Sequence, residues 1–360
     1  MSNAVKGLIA KYREALNELP RVTLGHLPTP LDRCPRISAE LGVSIYVKRE
    51  DCTGLAMGGN KVRQHEYVLG QAVARGTDCL IQGSASQSNH SRQLAAAGAR
   101  LGLDVYLTPK LDAHSKPTVG NFFVDHLLGA TICPIGPEDS SIDFKRDLAR
   151  RLEKEGRRPY ITGMGATETL ILAAVAYVDA LFEIVESTAP DEMPDWIFVA
   201  SQGSTQAGLI LGCEMLGLKT RVVGISPMPS SHEAHLPTKE ILSLVKGAAS
   251  VLGFESQRTE ADIITDAGFV GAGYGFLTDA ARSAIHILAS REGILLDPVY
   301  SGKAFAGLLD YCARGAVLPD QHVVFIHTGG TPALFAYAEQ LLSTEAIPSS
   351  SEIDELKNNA

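Results

Sequence analysis

Short, β-branched apolar runs alternate with longer amphipathic stretches along most of the chain. The longer stretches space their apolar residues three and four positions apart, which predicts helices over residues 2–18, 61–74, 89–101 and 278–291. The short runs predict strands at residues 44–48, 79–82, 105–108, 131–135, 160–162, 196–200, 221–225, 294–296 and 323–326. Because strands and helices alternate, we expect an α/β protein with parallel-rich sheets flanked by helices. The polar stretch 343–360 is predicted to be a mobile tail.

Composition and charge exclude several classes of protein. Hydrophobic residues make up 45% of the 360, which is too many for a disordered polymer. The formal net charge of −9 disfavours a nucleic-acid partner, although it is compatible with a small anionic ligand. The longest strongly apolar run, residues 170–178, is far shorter than the roughly 18 residues of a membrane span. The N-terminus has no signal-peptide core, so we expect a soluble protein without a membrane partner.

Six cysteines are spread along the chain, and no two of them form a C-x-x-C pair. No histidine cluster completes a zinc pattern, so we expect no metal site. Several cysteines lie in apolar runs, where a reduced thiol behaves as a small hydrophobic group. The simplest interpretation is a reducing, cytoplasmic location.

The first candidate site is the segment Gly58-Gly59-Asn60-Lys61, which leads into a predicted helix. Two glycines allow a sharp turn and a close approach to a ligand, and Asn60 is predicted to cap the helix. Lys61 would then lie at the positive end of the helix dipole, where its ammonium form is disfavoured and its amine is a better nucleophile. The alternative, a solvated surface lysine after a turn, is the commoner outcome for such a tetrapeptide.

The second candidate site is the loop Gly203-Ser204-Thr205, which follows a predicted strand and precedes an apolar helix. Backbone N–H groups and hydroxyls at such a helix start can hold an anion such as a phosphate. The loop has neither the dinucleotide-binding glycine spacing nor a Walker sequence. An ordinary strand-to-helix turn is the alternative.

The third candidate is a group of polar loops that follow predicted strands, at residues 86–90, 273–275, 297–301 and 327–330. Loops beyond the carboxyl ends of parallel strands line the ligand crevice of such folds. Each loop alone is a weak signal, since its tyrosines and histidines also suit a packed core. Together they predict a pocket for one small polar ligand.

Five motifs in chain order carry a family resemblance. They are K-R-E-D-C-T-G-L-A-M-G-G-N-K (48–61), Q-S-N-H-S-R-Q (87–93), G-S-T-Q-A-G (203–208), L-L-D-P-V-Y-S-G-K (295–303) and I-H-T-G-G-T-P-A-L-F-A-Y (326–337). The sequence resembles D-cysteine desulfhydrase and 1-aminocyclopropane-1-carboxylate deaminase, which are fold type II enzymes that use pyridoxal 5′-phosphate. The resemblance implies a two-domain, tryptophan-synthase-β-like fold with the cofactor in the interdomain cleft. It also implies a large domain of residues 1–61 and 173–342, a small domain of residues 62–172, and a homodimer.

The resemblance assigns the cofactor contacts residue by residue. Lys61 would be the Schiff-base lysine, and Asn89 would hydrogen-bond the 3′-oxygen of the pyridine ring. Thr328 matches the hydroxyl that meets the pyridine nitrogen in the desulfhydrase branch. The phosphate contacts implied by the family are Gln202, Gly203, Ser204 and Thr205.

The resemblance also assigns the residues that face the substrate. Ser88 matches a serine that binds the substrate carboxylate or relays a proton, and its neighbours Asn89 and His90 complete that loop. Tyr274 and Tyr300 match two active-site tyrosines near the reacting carbons. Lys61, Ser88 and the two tyrosines are therefore the expected catalytic residues.

Three positions depart from the family pattern. The deaminase has a glutamate facing the pyridine nitrogen where this chain has Ser301, and a hydroxyl cannot keep that nitrogen protonated as a carboxylate does. Gln64 replaces a second lysine, so one phosphate contact of the family is lost. Glu168 would place a negative charge near the substrate loop, where it would reject anionic side chains; the alternative is a solvated glutamate at a helix start.

These features predict a lyase that performs β-elimination on a small amino acid, giving pyruvate, ammonia and sulfide as D-cysteine desulfhydrase does. A weaker electron sink suits a good leaving group better than the opening of a cyclopropane ring. The alternatives are 1-aminocyclopropane-1-carboxylate deamination, L-cysteate sulfo-lyase chemistry, racemisation and β-replacement. A catalytically drifted module that only binds the cofactor is the alternative outside the enzymes.

Overall fold

The computed structural model describes residues 3–111, 115–116, 118–136, 138–201 and 203–342. Two features predicted from the sequence, the phosphate contact of Gln202 and the tail 343–360, lie outside the described residues. Within the described ranges the strands are β1 (Leu31–Arg33), β2 (Ser44–Lys48), β3 (Cys79–Ala85), β4 (Asp104–Lys110), β5 (Thr131–Ile132), β6 (Pro159–Ile161), β7 (Trp196–Ala200), β8 (Arg221–Ile225), β9 (Ile264–Asp266) and β10 (His322–Ile326).

The strands form two separate sheets. One has the order β1-β2-β10-β7-β8-β9 and is parallel except for the antiparallel edge strand β1. The other has the order β5-β4-β3-β6 and is wholly parallel. Every residue of the central strand β7 is buried, as expected for a parallel strand covered on both faces.

Helices cover the faces of both sheets. The described helices are α1 (Asn3–Asn17), α2 (Pro35–Leu41), α3 (Asn60–Ala74), α4 (Asn89–Leu101), α5 (Gly120–Leu127), α6 (Ser141–Lys154), α7 (Thr167–Ser187), α8 (Ser204–Met215), α9 (Thr238–Val251), α10 (Asp279–Glu292), α11 (Ser301–Ala313), α12 (Thr331–Ala336) and α13 (Ala338–Leu341). The most apolar of the long ones, α7, is buried along most of its length and packs against α3, α8 and α9. Its hydrophobic sequence therefore belongs to the core, and no helix in the described ranges is long and apolar enough to cross a membrane.

The predicted strands agree with the structure except at one place. Residues 294–296 are not a strand, because Ile294 and Leu296 bury their side chains in the core while their backbone joins no ladder. The sequence pattern also missed β1 and β9. Each has three residues and lies at an edge of the six-stranded sheet. Three residues are too few to show the alternation of apolar and polar side chains that predicts a strand.

The predicted domain boundaries fall inside two helices. The boundary at residue 61 lies in the first turn of α3, and the boundary at residue 172 lies in α7. These two helices pack against each other. The division into two domains stays a prediction, although β3 to β6 all lie within residues 62–172 and the other strands lie outside that range.

Candidate active site

A cavity of about 410 Å³ lies beyond the carboxyl ends of strands from both sheets. The loops after β3, β6, β7, β8 and β10 all contribute to its walls, which is the position expected for a ligand crevice between parallel sheets. Most of the residues that the sequence singles out line this cavity: Lys61, Ser88, Asn89, His90, Gly203, Ser204, Thr205, Tyr274, Tyr300 and Thr328.

Ser301 is the predicted site residue that does not line the cavity. It is the buried first residue of α11. Its hydroxyl donates to Asp297 Oδ1 at 2.6 Å and accepts from the Asp297 backbone N–H at 2.8 Å. This arrangement fixes the turn before α11, and a contact between Ser301 and a cofactor stays a prediction.

The turn before α3 brings Lys61 to the cavity. Gly59 occupies the cap position with φ of 125°, and a Cβ there would lie 2.4 Å from Gln93 Nε2, so only glycine fits. The expectation that Asn60 caps the helix is wrong. Asn60 lies inside the first turn, and its side-chain amide donates to Thr205 Oγ1 at 3.2 Å instead.

The amine of Lys61 makes no hydrogen bond or ion pair with any residue in the described ranges. Burial lowers its pKa to about 8, because the charged form loses hydration without gaining a counter-ion. A sizeable fraction of the amine is therefore neutral near pH 8. A neutral, unpaired lysine amine in a cavity is a competent nucleophile for an aldehyde.

The first turn of α8 forms a place for an anion. Ser204 begins this helix, and its buried hydroxyl has no hydrogen-bond partner in the part of the chain that the structure describes. The neighbouring Thr205 hydroxyl accepts from Gln64 Nε2 at 2.9 Å and from Asn60 at 3.2 Å. An unpartnered hydroxyl at a helix start fits a phosphate, which would accept hydrogen bonds from it and from the helix N–H groups.

The first turn of α4 carries the next part of the wall. Ser88 caps this helix, and its Oγ accepts from the Ser91 backbone N–H at 3.1 Å. The side-chain oxygen of Asn89 accepts from Asn121 Nδ2 at 2.8 Å. This contact orients the Asn89 amide so that its nitrogen is the atom that can donate to a ligand.

Two tyrosines form the opposite wall. The hydroxyls of Tyr274 and Tyr300 share a hydrogen bond, and the rings meet edge to face. Burial and the neighbouring Tyr274 hydroxyl raise the pKa of Tyr300 above its usual value, so the Tyr300 hydroxyl keeps its proton at neutral pH. Buried Lys303 holds the Tyr274 loop by donating to the carbonyls of Val270 at 2.7 Å and Gly273 at 3.2 Å.

The structure adds residues that motif analysis missed or misplaced. His65, one helical turn after Lys61, and His232, which stacks on Tyr274, both line the cavity. The four-residue spacing from Lys61 is a signal that could have identified His65. Glu168, by contrast, does not line the cavity and instead pairs with Arg75 at the surface.

A family model described as pyridoxal-phosphate dependent enzyme matches residues 22–329 of this chain. The chain belongs to this family. The cofactor predicted from the motifs is thus confirmed. The described residues also fit this cofactor, because the cavity of this pyridoxal-phosphate-dependent enzyme holds the unpaired Lys61 amine and, at the start of α8, the unpartnered Ser204 hydroxyl.

Individual relatives cover nearly the whole of this pyridoxal-phosphate-dependent enzyme. The D-cysteine desulfhydrases of Salmonella choleraesuis (strain SC-B67) and Salmonella typhi are each 38% identical over 327 residues, which is 89% of this chain and 97% of theirs. A solved structure described as an ACC deaminase homologue has a TM-score of 0.81 and 34% identity, covering 95% of this chain and 99% of its own.

A more distant structure supports the fold alone. Threonine deaminase isoform 2 from Solanum lycopersicum has a TM-score of 0.62 and 16% identity, and the match covers 95% of this chain and 88% of that one. The predicted α/β, fold type II architecture is confirmed by these comparisons together.

Proposed function

We propose that this enzyme is a lyase that eliminates a good leaving group from the β-carbon of a small amino acid. With cysteine as substrate, the Cα–H and Cβ–S bonds break and one water is taken up, giving pyruvate, ammonia and hydrogen sulfide. The observation that carries the proposal is the unpaired Lys61 amine, which shares one cavity with the Ser204 cradle and the tyrosine pair. The D-cysteine desulfhydrases among its relatives support the same reaction.

Pyridoxal phosphate, when bound, supplies an aldehyde for an amine and an electron sink for negative charge at Cα. Lys61 would hold it covalently, and Asn89 would donate to its ring oxygen. Thr328 lines the cavity and is the hydroxyl that we place at the ring nitrogen. The residues that we assign to the phosphate are Gln202, Gly203, Ser204 and Thr205, and Gln64 supports this set by donating to the Thr205 hydroxyl at 2.9 Å.

Different side chains of the cavity would carry out the proton transfers at Cα and at the leaving group. The neutral amine of Lys61 takes the proton from Cα, for which a pKa near working pH is the best compromise. The Tyr274–Tyr300 pair holds a proton at a hydroxyl oxygen on the cavity wall, where it can be given to a departing group. Ser88 keeps its hydroxyl hydrogen for the substrate carboxylate, since its oxygen already accepts from Ser91.

The polar groups near the ring favour elimination over ring opening. Thr328 lines the cavity and the Ser301 hydroxyl is bonded to Asp297. These contacts support a hydroxyl as the partner of the ring nitrogen where the deaminase pattern has a carboxylate. A hydroxyl gives the weaker electron sink. Ring-opening deamination is the second candidate, and the solved ACC deaminase homologue is the observation that favours it.

We also propose the remaining features of the family for this chain. The large domain would comprise residues 1–61 and 173–342, and the small domain residues 62–172. The chain would form a homodimer and be located in the cytoplasm. Exposed apolar side chains, including Met57, Phe123, Leu127 and Phe335, support self-association, because pairing would remove them from water. Buried free cysteines support a reducing compartment.

The test uses purified protein reconstituted with pyridoxal phosphate. We expect a near-visible absorbance band that Lys61→Ala abolishes together with turnover, whereas Lys246→Ala, at an exposed lysine of α9, keeps both. Assays of sulfide, ammonia, pyruvate and 2-oxobutanoate with D- and L-cysteine and with 1-aminocyclopropane-1-carboxylate then identify the reaction. An unchanged band in Lys61→Ala would overturn the assignment of the lysine, and 2-oxobutanoate without pyruvate would select the deaminase.

A further inference from the structure

His65 is a buried histidine on the cavity wall that the reaction described above does not use. It lies on α3, four residues after Lys61 and therefore on the same face of the helix. Only 1% of the residue is exposed. His90, from the first turn of α4, lies beside it with the ring centroids 4.9 Å apart, and both rings line the cavity.

The fold satisfies the polar atoms of His65 incompletely. The backbone of His90 lies close enough to one ring nitrogen to affect its proton, but neither nitrogen makes a well-formed hydrogen bond within the described residues. His327 shows what a structural histidine looks like in the same protein: one ring nitrogen contacts the Leu295 carbonyl at 3.0 Å, and the other accepts from the Gly329 N–H at 3.2 Å. Because buried polar atoms are normally paired, the remaining ring nitrogen of His65, on a residue that lines the cavity, indicates a ligand group that meets it.

Both imidazoles are neutral at physiological pH. Burial is the largest cause, lowering the pKa of His65 to about 3 and that of His90 well below its usual value. A neutral imidazole has one N–H donor and one acceptor nitrogen. Lys145 has a pKa of about 8 because burial disfavours its charge, so it is still largely an ammonium at neutral pH. Its charge acts on His90 and makes the local potential positive, which favours an oxygen acceptor on the ligand.

We propose that His65 and His90 form a subsite for a carbonyl or carboxylate oxygen on the side chain of the substrate. This inference rests on the proposed function and narrows it. The preferred substrate is a β-substituted amino acid whose leaving group carries an oxygen acceptor. Asparagine is a suitable probe, because it has such an oxygen but no leaving group, and leucine is its apolar counterpart of similar shape.

The experiment measures binding of D- and L-asparagine and of D- and L-leucine to the cofactor-loaded enzyme by calorimetry. We expect the wild type to prefer asparagine, and His65→Leu to weaken asparagine binding about tenfold while leaving leucine binding unchanged or tighter. His65→Gln keeps a donor and an acceptor and should retain the preference. His126→Leu, at an exposed histidine of α5, is the matched control.

A second readout does not depend on any variant folding. In wild-type enzyme labelled with nitrogen-15 at histidine, asparagine should shift two ring resonances that leucine leaves in place. Equal affinity of the wild type for asparagine and leucine, or equal losses for both ligands in His65→Leu, would overturn the subsite. If the wild type forms no absorbance band with pyridoxal phosphate, the proposed function fails instead, so the two failures are distinguishable.

Discussion

Helix α3 buries polar side chains on two faces, and those on one face are ion-paired whereas those on the other are not. On one side, Arg63 donates to Glu50 at 2.9 Å and to Glu183 at 2.7 Å, and both carboxylates have further partners. On the other side, Lys61 and His65 line the cavity, and neither has a charged or side-chain hydrogen-bonding partner in the described part of the chain. Arg63 lies two residues from each of them, which turns it to the far side of the helix.

The paired side is a closed network. Lys48 donates to Glu183 at 2.6 Å, and the hydroxyl of Tyr177 donates to Glu50 at 3.1 Å. Two cations therefore balance two anions inside the core, which is the condition under which buried charge is tolerated. The comparison teaches that burial alone does not mark a functional residue in this protein. Burial without a charged partner does so only together with a place on the cavity wall, because Ser141 and Tyr160 also have unpartnered buried hydroxyls and do not line the cavity.

Breaking the paired side should have the largest effect on stability. Arg63→Met removes the guanidinium from both Glu50 and Glu183 and leaves Lys48 as the cation that pairs with Glu183. We therefore expect the free energy of unfolding to fall by about 3–5 kcal/mol. Urea denaturation measures it, with Arg158→Met as the control at an exposed arginine. If the two variants lost similar amounts of unfolding free energy, the buried network would not be more important for stability than a surface ion pair.

Removing the unpaired amine of Lys61 should instead raise the free energy of unfolding. In cofactor-free protein, the folded-state pKa of Lys61 is about 8, below the roughly 10.4 of an unfolded lysine. The lysine therefore costs stability fully below pH 8, and the cost disappears as pH rises to about 10.4. We expect Lys61→Met to raise the free energy of unfolding by about 3 kcal/mol at pH 7, because a pKa difference of about 2.4 corresponds to that free energy.

The check for this variant is a pair of denaturation series across pH. The advantage of Lys61→Met over the wild type should shrink between pH 8 and pH 10.4. A variant that is less stable than the cofactor-free wild type at pH 7, or an advantage independent of pH, would count against an uncompensated amine.

The smallest change in stability is expected at Glu168, which lies on α7 and is part of neither the ion-paired nor the cavity face of α3. Its ion pair with Arg75 is about half exposed, so Glu168→Ala should change the free energy of unfolding by about 1 kcal/mol or less. Since the carboxylate does not line the cavity, the ratio of kcat/KM between anionic and neutral amino acids should stay the same. A gain of activity toward anionic substrates would restore the selectivity role predicted from the sequence.

Local patterns predicted those parts of the fold that depend on short stretches of chain. Strands β7 and β8 were located from their apolar runs, because each pairs on both edges and is buried throughout most of its length. Residues 294–296 carry a similar run but join no sheet. A run of apolar residues reports burial, and pairing depends on neighbours that are distant in sequence.

The same distinction holds in the cavity. Lys61 and the Gly203-Ser204-Thr205 loop stand out in the sequence because glycine and hydroxyl motifs at helix starts have a local physical meaning. The significance of His65 depends on His90 and on the absence of partners across space, which no local motif encodes. For Ser301 the deciding contact is local, because Asp297 in the same motif holds its hydroxyl, but the motif does not show which way that side chain turns.

One ion pair joins the two sheets at the cavity wall. Lys110, at the end of β4, pairs with Glu233, in the loop after β8, at 3.2 Å, and both residues line the cavity. Both side chains are partly exposed, so dissolved salt weakens this attraction more than it weakens the contacts deeper inside. Ionic strength should therefore change how firmly this part of the wall is held, and we expect KM to respond to it more than kcat.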